Sequence, residues 1–237
     1  MNNDRCASFS FFSPPDPDGD TFFYERHLID QGFDQVAGVD EAGRGPLAGP
    51  VVAGCVILSP ECDYLQFKDS KKLTAKRRDK LFAVLCGSDA AIGVGVASAE
   101  EIDLINILQA SLLAMKRAVA DCIERFSCQP GFLLVDGTFT VPMDLPQQAL
   151  VKGESRSASI AAASIVAKVT RDRMMAEFHE QYPQYNLLQH KGYPTKAHRQ
   201  AIVQHGPSPI HRKTFKGVRE FCSGLRSKKG KKQSNLW

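Results

Sequence analysis

The apolar run Val36-Ala37-Gly38-Val39 stops abruptly at two adjacent carboxylates, Asp40 and Glu41, and a Gly43-Arg44-Gly45 turn follows one residue later. A β-branched run of this kind reads as a buried strand. A carboxylate that closes it is costly unless it is paired or bound to an ion. Arg44 and a divalent cation are the two candidate partners. Successive side chains on a strand point to opposite faces, so Asp40 and Glu41 converge only if the strand breaks between them or just after them. Gly43 and Gly45 permit that break, because glycine adopts positive φ freely and lets a ligand approach backbone N–H groups. A strand-ending turn with a surface Asp–Arg pair is the structural alternative.

The same grammar recurs downstream, where Phe132-Leu133-Leu134-Val135 closes in Asp136 and then Gly137. Residues 36–40 and 50–58 flank the Gly-rich turn closely enough to pair as antiparallel strands. Residues 92–97 predict a third strand, with Gly93 and Gly95 on a face packed tightly against a neighbour. Residues 75–86 form a helix entered from Thr74. Ser98 and Glu101 have capping-box spacing ahead of one long helical pattern through Ile107, Met115 and Ile123. Residues 149–152 add a fifth strand, and a long helix spans residues 157–181. Strands alternating with helices indicate an α/β fold, and the early hairpin makes its sheet mixed.

In the long helix, Ile165, Val169 and Asp172 follow i, i+4, i+7 spacing, which turns Asp172 inward. The alternative is an ion pair with Lys168, or a local pair with Arg171 or Arg173. Asp40/Glu41, Asp136 and Asp172 then meet at one point. Hard oxygen ligands of this kind suit Mg or Mn. Four acidic groups around two ions form an arrangement that stabilises both attacking and leaving oxygens in phosphodiester hydrolysis. No phosphate-cradling Gly-x-x-x-x-Gly-Lys-Ser/Thr loop, third dinucleotide glycine or Cys/His zinc spacing competes with that site.

Charge placement points to the same substrate class. The net charge of +4 divides into +11 over residues 191–237 and −7 over residues 1–190. A basic segment attached to a carboxylate-rich body suits a polyanion partner. Ser70, Lys71 and Lys72 precede the second helix as a phosphate-contact loop, and Lys191 with Tyr193 offers a cation beside a ring able to stack on a sugar or base. Residues 1–20 read as a flexible extension, 21–220 as the folded domain, and 221–237 as a basic, disordered tail. The seven cysteines are scattered without a Cys-x-x-Cys pair and read as reduced thiols of a cytoplasmic protein. No run of eighteen apolar residues predicts a membrane span.

Several blocks in order resemble one family, the type 2 ribonucleases H, in particular bacterial ribonuclease HII. They are the segment from Ala37 to Pro50 around Asp40-Glu41-Ala42-Gly43-Arg44-Gly45, then Asp69-Ser70-Lys71-Lys72-Leu73, Leu134-Val135-Asp136-Gly137, the run from Ser159 to Val169, Arg171-Asp172-Arg173, and Lys191-Gly192-Tyr193. Arg44 before Gly45-Pro46 resembles the HII branch more than HIII. The likeness spans residues 24–219.

This resemblance implies a ribonuclease H-like fold, a central mixed five-stranded sheet flanked by helices with a helical C-terminal segment. It implies that Asp40, Glu41, Asp136 and Asp172 bind two divalent ions, Mn or Mg. It implies that Gly43, Arg44 and Gly45 contact the ribonucleotide 2′-hydroxyl and flanking phosphates, while Tyr193 lies against the adjoining sugar. The implied activity is hydrolysis of RNA in RNA/DNA hybrids and cleavage 5′ to ribonucleotides in duplex DNA, leaving 3′-hydroxyl and 5′-phosphate. Ser70, Lys71, Lys72 and Lys191 would bind phosphates. A monomer without an obligate protein partner is expected. The chain departs from the family pattern at Glu154, usually Asp, and at Pro194, commonly Gly. A non-catalytic nucleic-acid-binding protein of the same fold and a metal-dependent DNA nuclease are the competing readings.

Overall fold

The computed structural model describes residues 20–67 and 73–222. Ser70, Lys71 and Lys72, the N-terminal extension up to residue 19 and the tail from residue 223 lie outside the described residues.

Strand β1 (Val36–Ala42) pairs antiparallel with β2 (Val51–Ile57), and β2 pairs antiparallel with β3 (Ala91–Ala97). On its other edge β1 runs parallel to β4 (Phe132–Asp136), which runs parallel to β5 (Gln147–Leu150). The result is one mixed sheet in the order β3-β2-β1-β4-β5. The expected hairpin, the third strand and the apolar run into Asp136 all appear. The fifth strand lies slightly earlier than residues 149–152.

Helices cover both faces. Helix α4 (Ile107–Phe126) lies on one face, where Ala114, Ala118, Val119 and Cys122 pack with Val39, Val51 and Val135. Helix α5 (Ala158–Gln181) lies on the other, where it is joined by α1 (Phe23–Asp30) and α2 (Ala75–Cys86). Glycines set how closely these layers approach. A Cβ on Gly95 would stand 2.0 Å from the Ala114 carbonyl oxygen of α4, and one on Gly38 would stand 2.1 Å from the Ser159 backbone of α5. The glycine face foreseen for β3 is thus a helix backbone seat.

Local chemistry accounts for the helix starts. Thr74 accepts from Arg77 N–H at the head of α2, and Ser98 with Glu101 closes a reciprocal capping box at the head of α3 (Ala99–Ile105). The single long helix expected after Ser98 is two. Asn106 adopts φ 69°, which ends α3, and its side-chain oxygen accepts from Leu108 and Gln109 N–H to start α4. Asparagine tolerates the left-handed region and caps well, so one residue does both tasks. Asn106→Ala should lower stability by about 2 kcal/mol, summing a lost cap and a strained φ. A chemical-denaturation midpoint measures it.

In helix α5 apolar periodicity does not orient Asp172. Every residue from Ala158 to Ala167 is buried, so no polar face defines a stripe. Beyond α5, the helices α6 (Leu187–His190), α7 (Lys196–His205) and α8 (Arg219–Cys222) gather around Leu47, Met175, Tyr185, Leu187, Ile202 and Val218. This small core closes over the end of the sheet where β1 and β4 finish. The six described cysteines are free, and among the described residues no helix is long and apolar enough to cross a membrane.

Candidate active site

The register Val39 opposite Val135 sets Asp40 and Asp136 side by side at the carboxyl ends of two parallel strands. Alternation puts Asp40 on the face of Gly38, toward α5, and Glu41 on the face of Val39, toward α4. Strand β1 continues past both carboxylates to Ala42 and turns only at Gly43, where φ is 101°. The two side chains nevertheless share one space, because β4 stops at Asp136 and leaves that edge of β1 open beyond Val39 while β1 stays paired with β2. A cavity of about 270 Å³ is lined by Asp40, Glu41, Asp136, the Gly43-Arg44-Gly45 turn, Ser164, Lys168, Tyr193 and Arg78. A recess of about 130 Å³ on the α4 side also borders Glu41, Arg44 and Asp136. A larger cavity of about 550 Å³ lies at the opposite end of the sheet, beside Val36, Ile57 and Ala91, and touches none of these groups.

Backbone N–H groups fix the two aspartates. Asp40 accepts from Glu41 N–H at 2.7 Å, and Asp136 accepts from Gly153 N–H at 2.7 Å. Burial pushes the Asp40 carboxyl well above the usual range, with Glu41 and Asp136 adding repulsion and Ser164 opposing it. Burial also raises Glu41, against the pull of Arg44 at 3.3 Å. The arginine partner of the turn is therefore Glu41 rather than an aspartate.

Three carboxylates that repel one another at a strand end are hard oxygen donors suited to a divalent ion. Among the described residues no three such side chains already close around one point. The fit lies in donor chemistry and charge. Asp172 stands apart from the cavity lining, in an ion pair with Lys168 at 2.7 Å, which was the alternative considered for it. Lys168 itself faces the cavity.

Other sequence candidates divide in the same way. Gly45 lies beside the Tyr193 ring, where an added Cβ would make an ordinary 3.7 Å contact, and only Gly43 needs positive φ. The Tyr193 ring is exposed and sits 6.0 Å from both the Lys168 ammonium and the Arg171 guanidinium. Lys191 does not line the cavity. Its carbonyl accepts from Arg171 instead. Glu154 is coupled to the site more closely than its sequence position suggested. It is buried on a 3-10 turn, accepts from the Ser164 hydroxyl at 3.2 Å, and its charge acts on Asp40.

The roles of two buried arginines are not legible in the sequence. Arg171 donates to the carbonyls of Ala48, Pro50 and Lys191. Arg212 donates to those of Gly43, Arg44, Gly49 and Pro50. Both are fully buried, and their hydrogen bonds tie the inner side of the loop from Gly43 to Pro50 to one anchor. Burial and then the neighbouring Arg171 lower Arg212 to about 9, so it stays charged near neutral pH. Arg171 stands in the Arg171-Asp172-Arg173 block, where the sequence suggests only a pairing with Asp172 for it, and Arg212 follows a histidine with no periodic or motif signal.

A family model described as Ribonuclease HII matches residues 37–218. The chain belongs to the ribonuclease HII family. It is 58% identical over 212 residues to the ribonuclease HII of Desulfotalea psychrophila, covering 90% of this chain and 94% of that one. Among solved structures, ribonuclease H2 from Pyrococcus horikoshii superposes with a TM-score of 0.63 at 29% identity, covering 79% of this chain and 96% of its own. The ribonuclease HII of Archaeoglobus fulgidus, solved as a complex with PCNA, superposes with a TM-score of 0.63 at 27% identity, covering 77% and 95%. As a ribonuclease HII the chain is an endonuclease with ribonuclease H activity, and its mixed five-stranded sheet is the ribonuclease H-like fold the motifs implied.

Proposed function

We propose that this ribonuclease HII cuts the RNA strand of RNA/DNA hybrids, and duplex DNA on the 5′ side of an embedded ribonucleotide. The products carry a 3′-hydroxyl and a 5′-phosphate. One observation carries the reading: Asp40, Glu41 and Asp136 share a single cavity with Gly43-Arg44-Gly45 and Tyr193. A nuclease that reads sugar identity needs its acid cluster and its sugar contacts within one nucleotide of each other.

Asp40, Glu41 and Asp136 hold two divalent ions, Mg or Mn, with Asp172 as a fourth acidic group that releases Lys168 or orients solvent. The bound ions supply the positive charge that activates water and stabilises the leaving oxygen. The remaining steps belong to this chain. Arg44 and the open backbone of Gly43 and Gly45 meet the 2′-hydroxyl, which both donates and accepts and so separates RNA from DNA. Tyr193 stacks on the adjoining sugar. Lys168 and Arg78, both facing the cavity, neutralise flanking phosphates. Ser70, Lys71, Lys72 and Lys191, with the basic C-terminal segment, extend that contact along the duplex without sequence preference. The enzyme acts in the cytoplasm as a monomer.

A labelled DNA duplex with one ribonucleotide tests this reading, beside an all-DNA control, with Mg or Mn and then with chelator. One chelator-sensitive cut 5′ to the ribonucleotide, absent from the control, is the expected result. Cutting of both duplexes would remove the 2′-hydroxyl role from Gly43, Arg44 and Gly45, and tight binding without cutting would favour a non-catalytic binder. Binding should also weaken steeply as salt rises, since the phosphate contacts release counterions.

A further inference from the structure

Three buried imidazoles, His190, His198 and His211, stand behind the Tyr193 peptide, outside the cavity lining. Backbone groups at the ends of this cluster dictate where its protons sit. The Ser208 N–H can only donate, and it donates to His211 Nδ1 at 3.0 Å, with the Ser208 hydroxyl 2.8 Å from the same atom. His211 Nδ1 is therefore the bare nitrogen, and the neutral ring carries its proton on Nε2. That Nε2 lies 3.1 Å from His198 Nε2 and donates to it. His198 then carries its own proton on Nδ1, 3.0 Å from the Tyr193 carbonyl, which only accepts. The same reasoning orients His190, whose Nδ1 accepts from Gly192 N–H at 3.2 Å while Nε2 donates to the Tyr185 carbonyl at 2.7 Å. His190 stacks on His198 with ring centroids 4.3 Å apart.

We propose that His211 and His198 are positioning residues, a one-way chain of neutral imidazoles from Ser208 to the Tyr193 carbonyl that holds the tyrosine ring over the cavity. The proposal rests on Tyr193 being a substrate contact. A second proton on either ring breaks the chain. On His211 it would set Nδ1–H against the Ser208 N–H. On His198 it would set two N–H groups against each other across the 3.1 Å gap. The surroundings resist such a proton. Arg199 on α7 and His190 on α6 act on His198, His190 and His198 act on His211, and the neutral Tyr185 ring packs on His211 with centroids 4.7 Å apart. Arg212 follows His211 directly. Burial is the larger effect, and together these hold His198 and His211 down to about 4, so both are neutral near pH 7.

A double-mutant cycle tests the chain. Steady-state cleavage of the single-ribonucleotide duplex is measured for the wild type, Tyr193→Ala, His211→Leu and the double variant, with thermal melting to verify folding. Each single change should raise KM roughly tenfold, the scale of one lost stacking contact for Tyr193→Ala and of one lost buried hydrogen bond for His211→Leu, with kcat little altered. The double variant should be no worse than Tyr193→Ala, because the histidine acts only through the tyrosine. Effects that multiply, or a His211→Leu enzyme with wild-type KM, would overturn the proposal. A Tyr193→Ala enzyme with wild-type KM would instead sink the substrate-contact reading on which it stands. Should His211→Leu fail to fold, imidazole ¹⁵N NMR of the wild type at pH 7 decides the matter. Protons on Nε2 of His211 and Nδ1 of His198 are expected, and the reverse tautomers or a charged ring would refute the chain.

Discussion

Asp136→Asn should abolish cleavage of a ribonucleotide-containing duplex, by on the order of 10³-fold in kcat, while duplex affinity stays close to that of the wild type. The substitution keeps the shape of the side chain and can keep the bond from Gly153 N–H to its oxygen, so the fold is spared. It removes one negative charge from a cluster in which Asp40 and Glu41 are buried beside it. Affinity should survive because, on the proposed reading, it would come from phosphate contacts by cations elsewhere on the surface. Single-turnover cleavage beside a binding isotherm separates the two quantities, and retained cleavage would dismiss Asp136 as a metal ligand. Asp172→Asn should cost less, since Asp172 already spends its charge on Lys168 at 2.7 Å.

Arg212→Met should be strongly destabilising. Two effects oppose each other. Losing a buried guanidinium relieves its desolvation, visible in the lowering of Arg212 to about 9. Losing its donors strands the buried carbonyls of Gly43 and Gly49, leaves the part-buried Arg44 carbonyl to solvent, and removes one of two donors from Pro50. Each stranded buried carbonyl costs about 1–3 kcal/mol, so the carbonyls win and the net loss is about 3–5 kcal/mol. For a domain of this size that is a fall of about 10 °C in thermal midpoint. Activity should fall further than stability explains, because the carbonyls released belong to the turn that lines the cavity. Melting and kinetics on the same preparation measure both, and an unchanged midpoint would show that Arg171 alone anchors the loop.

Much of the site was legible because its chemistry is local. Asp40 ends the apolar run of β1 and Asp136 closes β4, and a buried carboxylate at such a junction demands a partner whatever the tertiary arrangement. The Gly-Arg-Gly turn announced itself by composition, and Gly43 does adopt the conformation that only glycine takes freely. Helix starts at Thr74 and Ser98 were equally plain, since a cap is a contact within one turn. Asn106 could have been read as well, as a residue fit both to end one helix and to cap the next.

Helix α5 marks the limit. Burial on every side of its first half erases the periodicity that would orient Asp172, and Lys168 took the charge instead. Glu154 looked remote from the carboxylates along the chain, yet the turn from Gly153 to Ser155 brings it to Ser164 and within reach of Asp40.

The sequence by itself determined the family, the strand-and-helix alternation, the acid pair at the end of β1 and the third acid at the end of β4, because short-range patterns and exact motifs encode all of these. Only the tertiary structure decided which acids share a cavity, that Arg171 and Arg212 grip the turn from beneath, and that three histidines back the Tyr193 peptide. Those contacts join residues up to 169 positions apart. Most of the arginine and histidine bonds end on backbone carbonyls and N–H groups, which nearly every residue carries, so no side-chain pattern in the sequence points to them.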